Sequence, residues 1–279
     1  MTPLSATDIL ETARTLLFVP GDRPERFAKA AASGPGLVVL DLEDAVAPEA
    51  KSSARQHAEA WLAAGHPCAV RVNGHGSAWH VDDLAAVAGH DCVVVVPKAE
   101  SSELLSQVAR QLDTGVLALI ETAAGVLGAQ GIAAAPGVER LALGTFDLGA
   151  ELGVSPDDED AMAWSRGALV LASAAAGIAP PVDGVTGEVD DDEQLRSEVQ
   201  LAARMGFTGK LCIHPRQVSV VETLLRPTEE QLQWARGVTE AVAGAGPGAA
   251  VVLVDGRMVD KPVVERARRM LERQADRRS

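Results

Sequence analysis

The chain contains no tyrosine, and aromatic residues make up only 3% of it. Its 47% apolar content is therefore carried mostly by Ala, Val and Leu. Those residues pack helices close against strands, which suits a layered α/β protein better than an aromatic-laced sandwich. Cysteine is scarce as well. Cys68, Cys92 and Cys212 are too widely spaced for a disulfide framework or a zinc-ligand pattern. They lie at or beside apolar runs, as buried thiols in a reducing compartment do. No stretch approaches 18 uninterrupted apolar residues, and MTPLSATDILETARTL lacks a basic segment followed by a long apolar one. These absences speak against secretion and membrane spanning, and a cytoplasmic protein is expected.

Positive charge is in short supply. Lys and Arg total 25 against 39 Asp and Glu, for a net charge of −14. A general nucleic-acid binder needs a basic face, and the one dense basic stretch, residues 266–278, is interleaved with Glu and Asp like a solvated helix face. A few local arginines can still dominate a pocket that takes an anion. Dinucleotide and nucleotide fingerprints are missing too. GDRPERF lacks the glycine pattern, GHGSAW does not open a Rossmann unit, and there is neither a Walker lysine nor a GxSxG elbow.

What is present is an alternation. Short apolar runs fall at Thr15–Pro20, Gly36–Asp44, Pro67–Asn73, Asp91–Lys98, Thr114–Thr122, Val138–Asp147, Gly177–Gly184 and Gly209–Pro215. Each is followed by room for a helix; the clearest helical stretches are Asp22–Ser33, Pro48–Ala64 and Ser155–Ala176. Runs apolar on both faces are what a covered parallel sheet requires. An open doubly wound sheet usually stops at five or six strands, so eight units predict closure into a (β/α)₈ barrel over residues 1–226. The seventh run is the weakest strand signal, because two prolines interrupt it. Residues 227–279 read as helix, short strand or hairpin, and helix, too small for an independent core. The acidic segment Gly153–Met162 reads as a loop and helix start, since clustered like charges favour solvent.

In such a barrel chemistry collects at the C-terminal ends of the strands. There the runs end in Asp41, Glu43 and Asp44, in Arg71 and Asn73, in Lys98, Glu121, Asp147, Asp183 and His214. Any one of these can be a cap or a strand-end ion pair. Together they predict a shared site, because clustered carboxylates repel unless a cation neutralises them. Glu121 and Asp147 end consecutive runs and could hold one hard divalent cation, magnesium or its substitute manganese, with water and ligand oxygens completing the shell. Arg71 could face a substrate carboxylate or oxyanion, or pair with the DLED acids. Lys98 reads as a neutralising partner for the carboxylates rather than an imine-forming lysine. Arg23, Arg26 and Lys29 form a basic face near a helix N-terminus, a candidate anion site whose rival is a solvated face.

The ordered segments RTLLFVPGDRPERFAKA, VVLDLEDAVAPEAKSSAR, RVNG, VVPKAES, ALIETAAGV, LALGTFDL, GKLCIHPRQV and GRMVDKPVVERA resemble the citrate lyase β-subunit-like family of the aldolase/citrate lyase superfamily. The resemblance implies a (β/α)₈ barrel, commonly trimeric, that uses Mg²⁺ to make or break β-hydroxyacyl thioesters. It implies that Glu121 and Asp147 bind the metal and that Arg71 contacts the keto-acid portion. Asp44 would help organise the site, and Asp260 would act as a lid residue over a neighbouring subunit, with residues 227–279 as the lid. Coenzyme A would place its phosphates near basic loops such as Arg23, Arg26 and Lys29. Two positions depart from the family's usual pattern, namely Phe146 before Asp147 and the segment after Asp183. The expected activity is cleavage of a malyl-CoA- or citramalyl-CoA-type thioester to acetyl-CoA and a 2-keto acid. The alternatives are a citryl-acyl-carrier lyase subunit, a malate synthase-like condensation with thioester hydrolysis, and a non-catalytic binding or assembly subunit.

Overall fold

The computed structural model describes residues 4–244, 252–254 and 257–275. The Gly/Ala-rich gap before the C-terminal strands, the link between those strands and the last residues of the basic 266–278 stretch lie outside the described residues. The chain divides into two compact units, Met1–Leu225 and Arg226–Ser279.

The first unit carries eight strands: β1 (Thr15–Pro20), β2 (Leu37–Asp41), β3 (Cys68–Arg71), β4 (Cys92–Val96), β5 (Val116–Ile120), β6 (Val138–Leu143), β7 (Ala179–Asp183) and β8 (Gly209–Cys212). All neighbours are parallel, and β8 pairs back to β1, so the sheet closes in sequence order. The helices are α1 (Ala6–Thr12), α2 (Phe27–Ala32), α3 (Lys51–Ala63), α4 (His80–Val87), α5 (Ser102–Leu112), α6 (Ala123–Ala133), α7 (Thr145–Leu152), α8 (Glu159–Ala176), α9 (Asp192–Met205) and α10 (Pro215–Leu224). This is the expected (β/α)₈ barrel. Among the described residues no helix is long and apolar enough to cross a membrane.

Strand alternation sorts the side chains into two cores. Leu16, Val39, Ala69, Val95, Leu119, Ala142, Val182 and Leu211 fill the barrel interior, while Leu17, Leu40, Val70, Val94, Ile120 and Leu141 pack outward against the helices. Small and branched residues dominate both, which is how a chain with few aromatics fills a barrel.

Helix α1 has no counterpart in the alternation read from sequence, because it precedes the first strand. Ala6 and Leu10 join the interior core. Arg140, fully buried at the same end, donates Nη1 to the carbonyls of Leu10 and Ala13 at 2.8 and 2.7 Å. Those carbonyls would otherwise be orphaned at a helix C-terminus. Arg140 also rescues the proline-broken strand, donating Nε to Pro180 O at 2.6 Å beside the register shift between β6 and β7. The seventh run is thus a true strand. The sixth run ends earlier than its polarity suggested: β6 stops at Leu143, and Asp147 lies in the first turn of α7. The acidic segment serves as a helix start, with Asp158 accepting from Ala161 N at the head of α8.

The second unit contains α11 (Glu229–Gly244), the antiparallel pair β9 (Val252–Val254) and β10 (Arg257–Val259), and α12 (Lys261–Ala275). Leu232, Ala235, Val238, Val259, Ala267 and Met270 form a small core of its own.

Candidate active site

The interior parity that carries Val39, Ala69 and Leu119 into the barrel also carries Asp41, Arg71 and Glu121, each two residues later, to the C-terminal mouth. They line a cavity of about 210 Å³ together with Asp44, Gly144, Phe146 and Asp147. Apart from Thr145, its remaining surface is apolar, mostly from Phe18, Leu119, Val185, Leu211 and Ile213.

Arg71 is anchored rather than free. Its Nε and Nη2 donate to the two oxygens of Asp41 at 2.7 Å each. Its Nη1 makes an ion-pair contact of 3.1 Å with Glu43 Oε2, and its guanidinium lies over the Phe18 ring, 4.9 Å from the centroid. Burial works against the guanidinium's charge, but the Asp41 hydrogen bonds and the nearby carboxylates more than offset it and hold its pKa above the ordinary value. Asp41 also accepts from the amides of Glu43 and Ala45, at 2.9 and 3.1 Å, which fixes the turn that presents Glu43 and Asp44. From below, Lys51 Nζ donates to Leu42 O, Glu43 O and Asn73 Oδ1. Asn73 is therefore a scaffold residue, bonded to Lys51 and Asp83.

Lys98 occupies the left-handed region, with φ 48°, an uncommon conformation for a side-chain-bearing residue. In that conformation its amide donates to Glu121 Oε1 at 2.9 Å. Its ammonium sits among four carboxylates: Glu43 at 2.9 Å, Asp147 at 3.3 Å, and Asp44 and Glu121 at 3.8 Å each. Burial lowers its pKa, while the Glu43 hydrogen bond and the surrounding acids raise it further, for a net rise. Lys98 is a fixed ammonium, the neutralising partner expected from sequence and not an amine nucleophile.

Glu121 is 4% exposed. Burial first, and then the charge of Glu43, push its pKa up to about 7 against the opposing pull of Lys98. Gly144 leaves room for it, because a Cβ there would come within 2.4 Å of Glu121 Cβ. Asp147 reaches the same cavity from α7. The donor set fits a hard divalent cation. Carboxylate oxygens of Glu121 and Asp147 share one cavity lined by neither His nor Cys, and one of them is strained as an anion in want of positive charge. Among the described residues no group of three or more His, Cys, Asp or Glu is placed to hold a metal, so water and ligand oxygens would supply the other positions.

Several residues grouped by sequence part company here. Asp183 follows interior Val182 and so points outward. It accepts from Arg166 Nε at 2.9 Å and lies 3.4 Å from Lys210 Nζ, inside a buried network with Glu198. His214 caps α10 by accepting from Arg216 N. Arg23, Arg26 and Lys29 follow β1 at the mouth end of the barrel, all exposed, and none lines the cavity. Asp260 accepts from Val263 N through Oδ1 at the head of α12, in the second unit. Glu43 and Asp41 had only their place in DLED to mark them, and the choice among three clustered acids depends on the turn geometry.

Residues 14–215 match the family described as HpcH/HpaI aldolase/citrate lyase, and residues 171–275 match a second one described as a C–C bond lyase of the TIM-barrel fold. A citrate lyase subunit beta-like protein of Mycobacterium tuberculosis is 39% identical over 264 residues, covering 92% of this chain and 94% of the relative. A (3S)-malyl-CoA thioesterase of Cereibacter sphaeroides is 34% identical over 266 residues, covering 92% and 93%. The crystal structure of CitE from Mycobacterium tuberculosis in complex with magnesium, acetoacetate and coenzyme A superposes with a TM-score of 0.78 at 37% identity, covering 94% of this chain and 98% of that one. With the barrel, the mouth carboxylates and these relatives in agreement, the chain belongs to the HpcH/HpaI aldolase/citrate lyase family of enzymes.

Proposed function

We propose that this enzyme is a Mg²⁺-dependent lyase of short β-hydroxyacyl-CoA thioesters of the malyl or citramalyl type, releasing acetyl-CoA and glyoxylate or pyruvate. The observation that carries the reading is one cavity at the barrel mouth that brings Glu121 and Asp147 together with Arg71. Its volume suits a small acid and leaves the coenzyme outside. The similar CitE structure, complexed with magnesium, acetoacetate and coenzyme A, supports the ligand classes.

Glu121 and Asp147 would hold the metal, Mg²⁺ or Mn²⁺. Bound there, it would supply positive charge that eases loss of the substrate's hydroxyl proton. In the cleavage direction the hydroxyl proton passes to solvent water, the C2–C3 bond breaks, and its electron pair passes into the thioester enolate as the keto acid forms. Arg71 stabilises the enolate oxygen, held in place by Asp41 so that no reorganisation is needed at the moment of reaction. Asp44 orders the hydroxyl end of the cavity. Asp260, brought from the second unit of a neighbouring subunit in a homotrimer, delivers a proton to the terminal carbon and removes it in condensation. Arg23, Arg26 and Lys29 hold the coenzyme's phosphates.

Self-association has support in the first unit. The exposed residues of α6, and those of α8 from Ala163 onward, carry no charge, and Leu127, Trp164 and Leu171 are 75%, 63% and 73% exposed. Such a face is the kind that another protein surface covers.

The test is release of acetyl-CoA and keto acid from malyl-, citramalyl- and citryl-CoA, with Mg²⁺ and with EDTA. Metal-dependent cleavage of a member supports the lyase; silence across the panel, with a citryl-loaded carrier protein also intact, refutes it. The (3S)-malyl-CoA thioesterase among the relatives favours a second reading, hydrolysis of the thioester. Free thiol appearing in place of acetyl-CoA would select that reading.

A further inference from the structure

The three thioesters of that panel differ in one substituent on the carbinol carbon: hydrogen in malyl-CoA, methyl in citramalyl-CoA and a carboxymethyl group in citryl-CoA. The cavity has two unlike sides. Asp41, Asp44, Arg71, Glu121 and Asp147 form one. Phe146, Val185, Leu211 and Ile213, with Thr145, make up the other, and Phe18 lies between the two, under the Arg71 guanidinium. A substrate's hydroxyl and carboxylate turn to the first side, and its thioester arm leaves through the mouth. The fourth substituent is then left against the apolar side.

That side offers no cation to a second carboxylate, only the Thr145 hydroxyl and the first amides of α7. Among the described residues Arg71 is the one cation lining the cavity; three of its five N–H groups face Asp41 and Glu43, and the other two are those left for the enolate oxygen. The Lys98 ammonium beside the cavity is shared among four acids. A carboxylate placed there would lose water without gaining a counter-charge, in a cavity already lined by Asp41, Asp44, Glu121 and Asp147, which costs more than burying a methyl gains.

The wall is built, not incidental. Phe146 reaches it from the first turn of α7, and the GVTG segment after β7 is shaped around it. A Cβ on Gly187 would come within 2.8 Å of the Phe146 ring tip, and one on Gly184 within 2.7 Å of Thr145 Oγ1. Two missing side chains thus let the β6–α7 corner seat against the β7 exit, with Val185 between them in the cavity lining.

We infer that Phe146, seated on Gly187, is a specificity-determining residue that makes the enzyme select a β-hydroxyacyl thioester with a hydrogen or methyl on its carbinol carbon, methyl preferred, and reject one with a second carboxylate. The inference rests on the lyase reading for its substrates but not for its test. An apolar pocket discriminates one methyl group by about 10-fold or more, and an unpaired carboxylate by more than that.

The experiment compares kcat/KM for both enantiomers of citramalyl-CoA with malyl-CoA and citryl-CoA, in wild type, Phe146→Ala, Phe146→Arg and Gly187→Ala. Mg²⁺ affinity is measured on each by calorimetry to confirm an intact metal site. Wild type is expected to favour citramalyl- over citryl-CoA by at least about 100-fold, given an apolar pocket with no cation to spare. Phe146→Arg supplies the missing cation and should narrow that ratio by about 10-fold or more. Gly187→Ala displaces the ring without removing it and should weaken the methyl preference in the same direction as Phe146→Ala. Wild type cleaving citryl-CoA as well as citramalyl-CoA overturns the inference and leaves the lyase standing. So does an unchanged ratio in Phe146→Arg or Phe146→Ala with Mg²⁺ binding intact. If no thioester is cleaved, the lyase reading fails and binding decides: pyruvate tighter than oxaloacetate in Mg²⁺ keeps the wall's role, and the reverse or no binding ends it.

Discussion

The amide of Lys98 donates to Oε1 of Glu121 at 2.9 Å from a backbone held at φ 48°. One residue therefore acts on Glu121 twice, through its main chain as a hydrogen-bond donor and through its ammonium as a charge 3.8 Å away. The two actions can be separated. Lys98→Met keeps the amide and removes the charge that competes with a metal at Glu121 and Asp147. Unit charges about 4 Å apart interact by about 1 kcal/mol in water, so Mg²⁺ should bind about fivefold tighter or more, by calorimetry. Unchanged or weaker binding would show that the ammonium is needed to assemble the ligands.

The raised pKa of Glu121 has a definite sign in stability. Its ordinary value is 4.5 and its folded value about 7. Between those limits the folded protein holds a proton that the unfolded chain has released, so the metal-free protein loses stability as pH rises from 4.5 to 7. A bound cation reverses this by stabilising the anion. The Mg²⁺-induced rise in Tm should accordingly be larger at pH 8 than at pH 5.5, and Glu121→Gln should abolish the difference along with turnover. Equal shifts at both pH values would remove Glu121 from the metal site.

Asp41 is 1% exposed and takes two hydrogen bonds from Arg71. Asp41→Ala leaves a largely buried guanidinium with Glu43 as its acidic partner and the Phe18 ring beneath it. Removing one partner of a buried ion pair costs about 3–5 kcal/mol, measurable by urea unfolding, and turnover should fall because Arg71 is no longer held. A loss of stability under about 0.5 kcal/mol, the range of ordinary surface substitutions, would mean that Glu43 alone fixes Arg71.

Asp183 makes the opposite test. It faces Arg166 and Lys210 on the outer side of the barrel wall. Asp183→Asn should destabilise the fold by a similar amount, about 3–5 kcal/mol, while the folded fraction keeps its Mg²⁺ affinity and kcat. A fall in kcat with stability intact would bring Asp183 back into the chemistry.

Asp260 is tested by mixing. If it serves a neighbouring subunit's cavity, Glu121→Gln and Asp260→Asn proteins, each inactive alone, should regain activity when their subunits are exchanged. A mixture as inactive as its components after verified exchange would dismiss the shared site.

The alternation of apolar runs determined the barrel, because each Val- and Leu-rich segment buries both faces and has length for only one strand before its helix. It also determined that polar residues collect at the strand ends, since Arg71, Lys98 and Glu121 each follow an apolar run. Sequence could not say which end residues face inward. Side-chain direction reverses with every residue, so Asp41 in step with Val39 enters the cavity while Asp183, one past Val182, leaves it. A register of one residue is invisible in a run that is apolar on both faces. Nor could composition place Asp147 on a helix, foresee the left-handed Lys98, or join Phe146 to Gly187 across 41 positions. Those depend on how the loops close over the barrel mouth, and only the tertiary structure decides that.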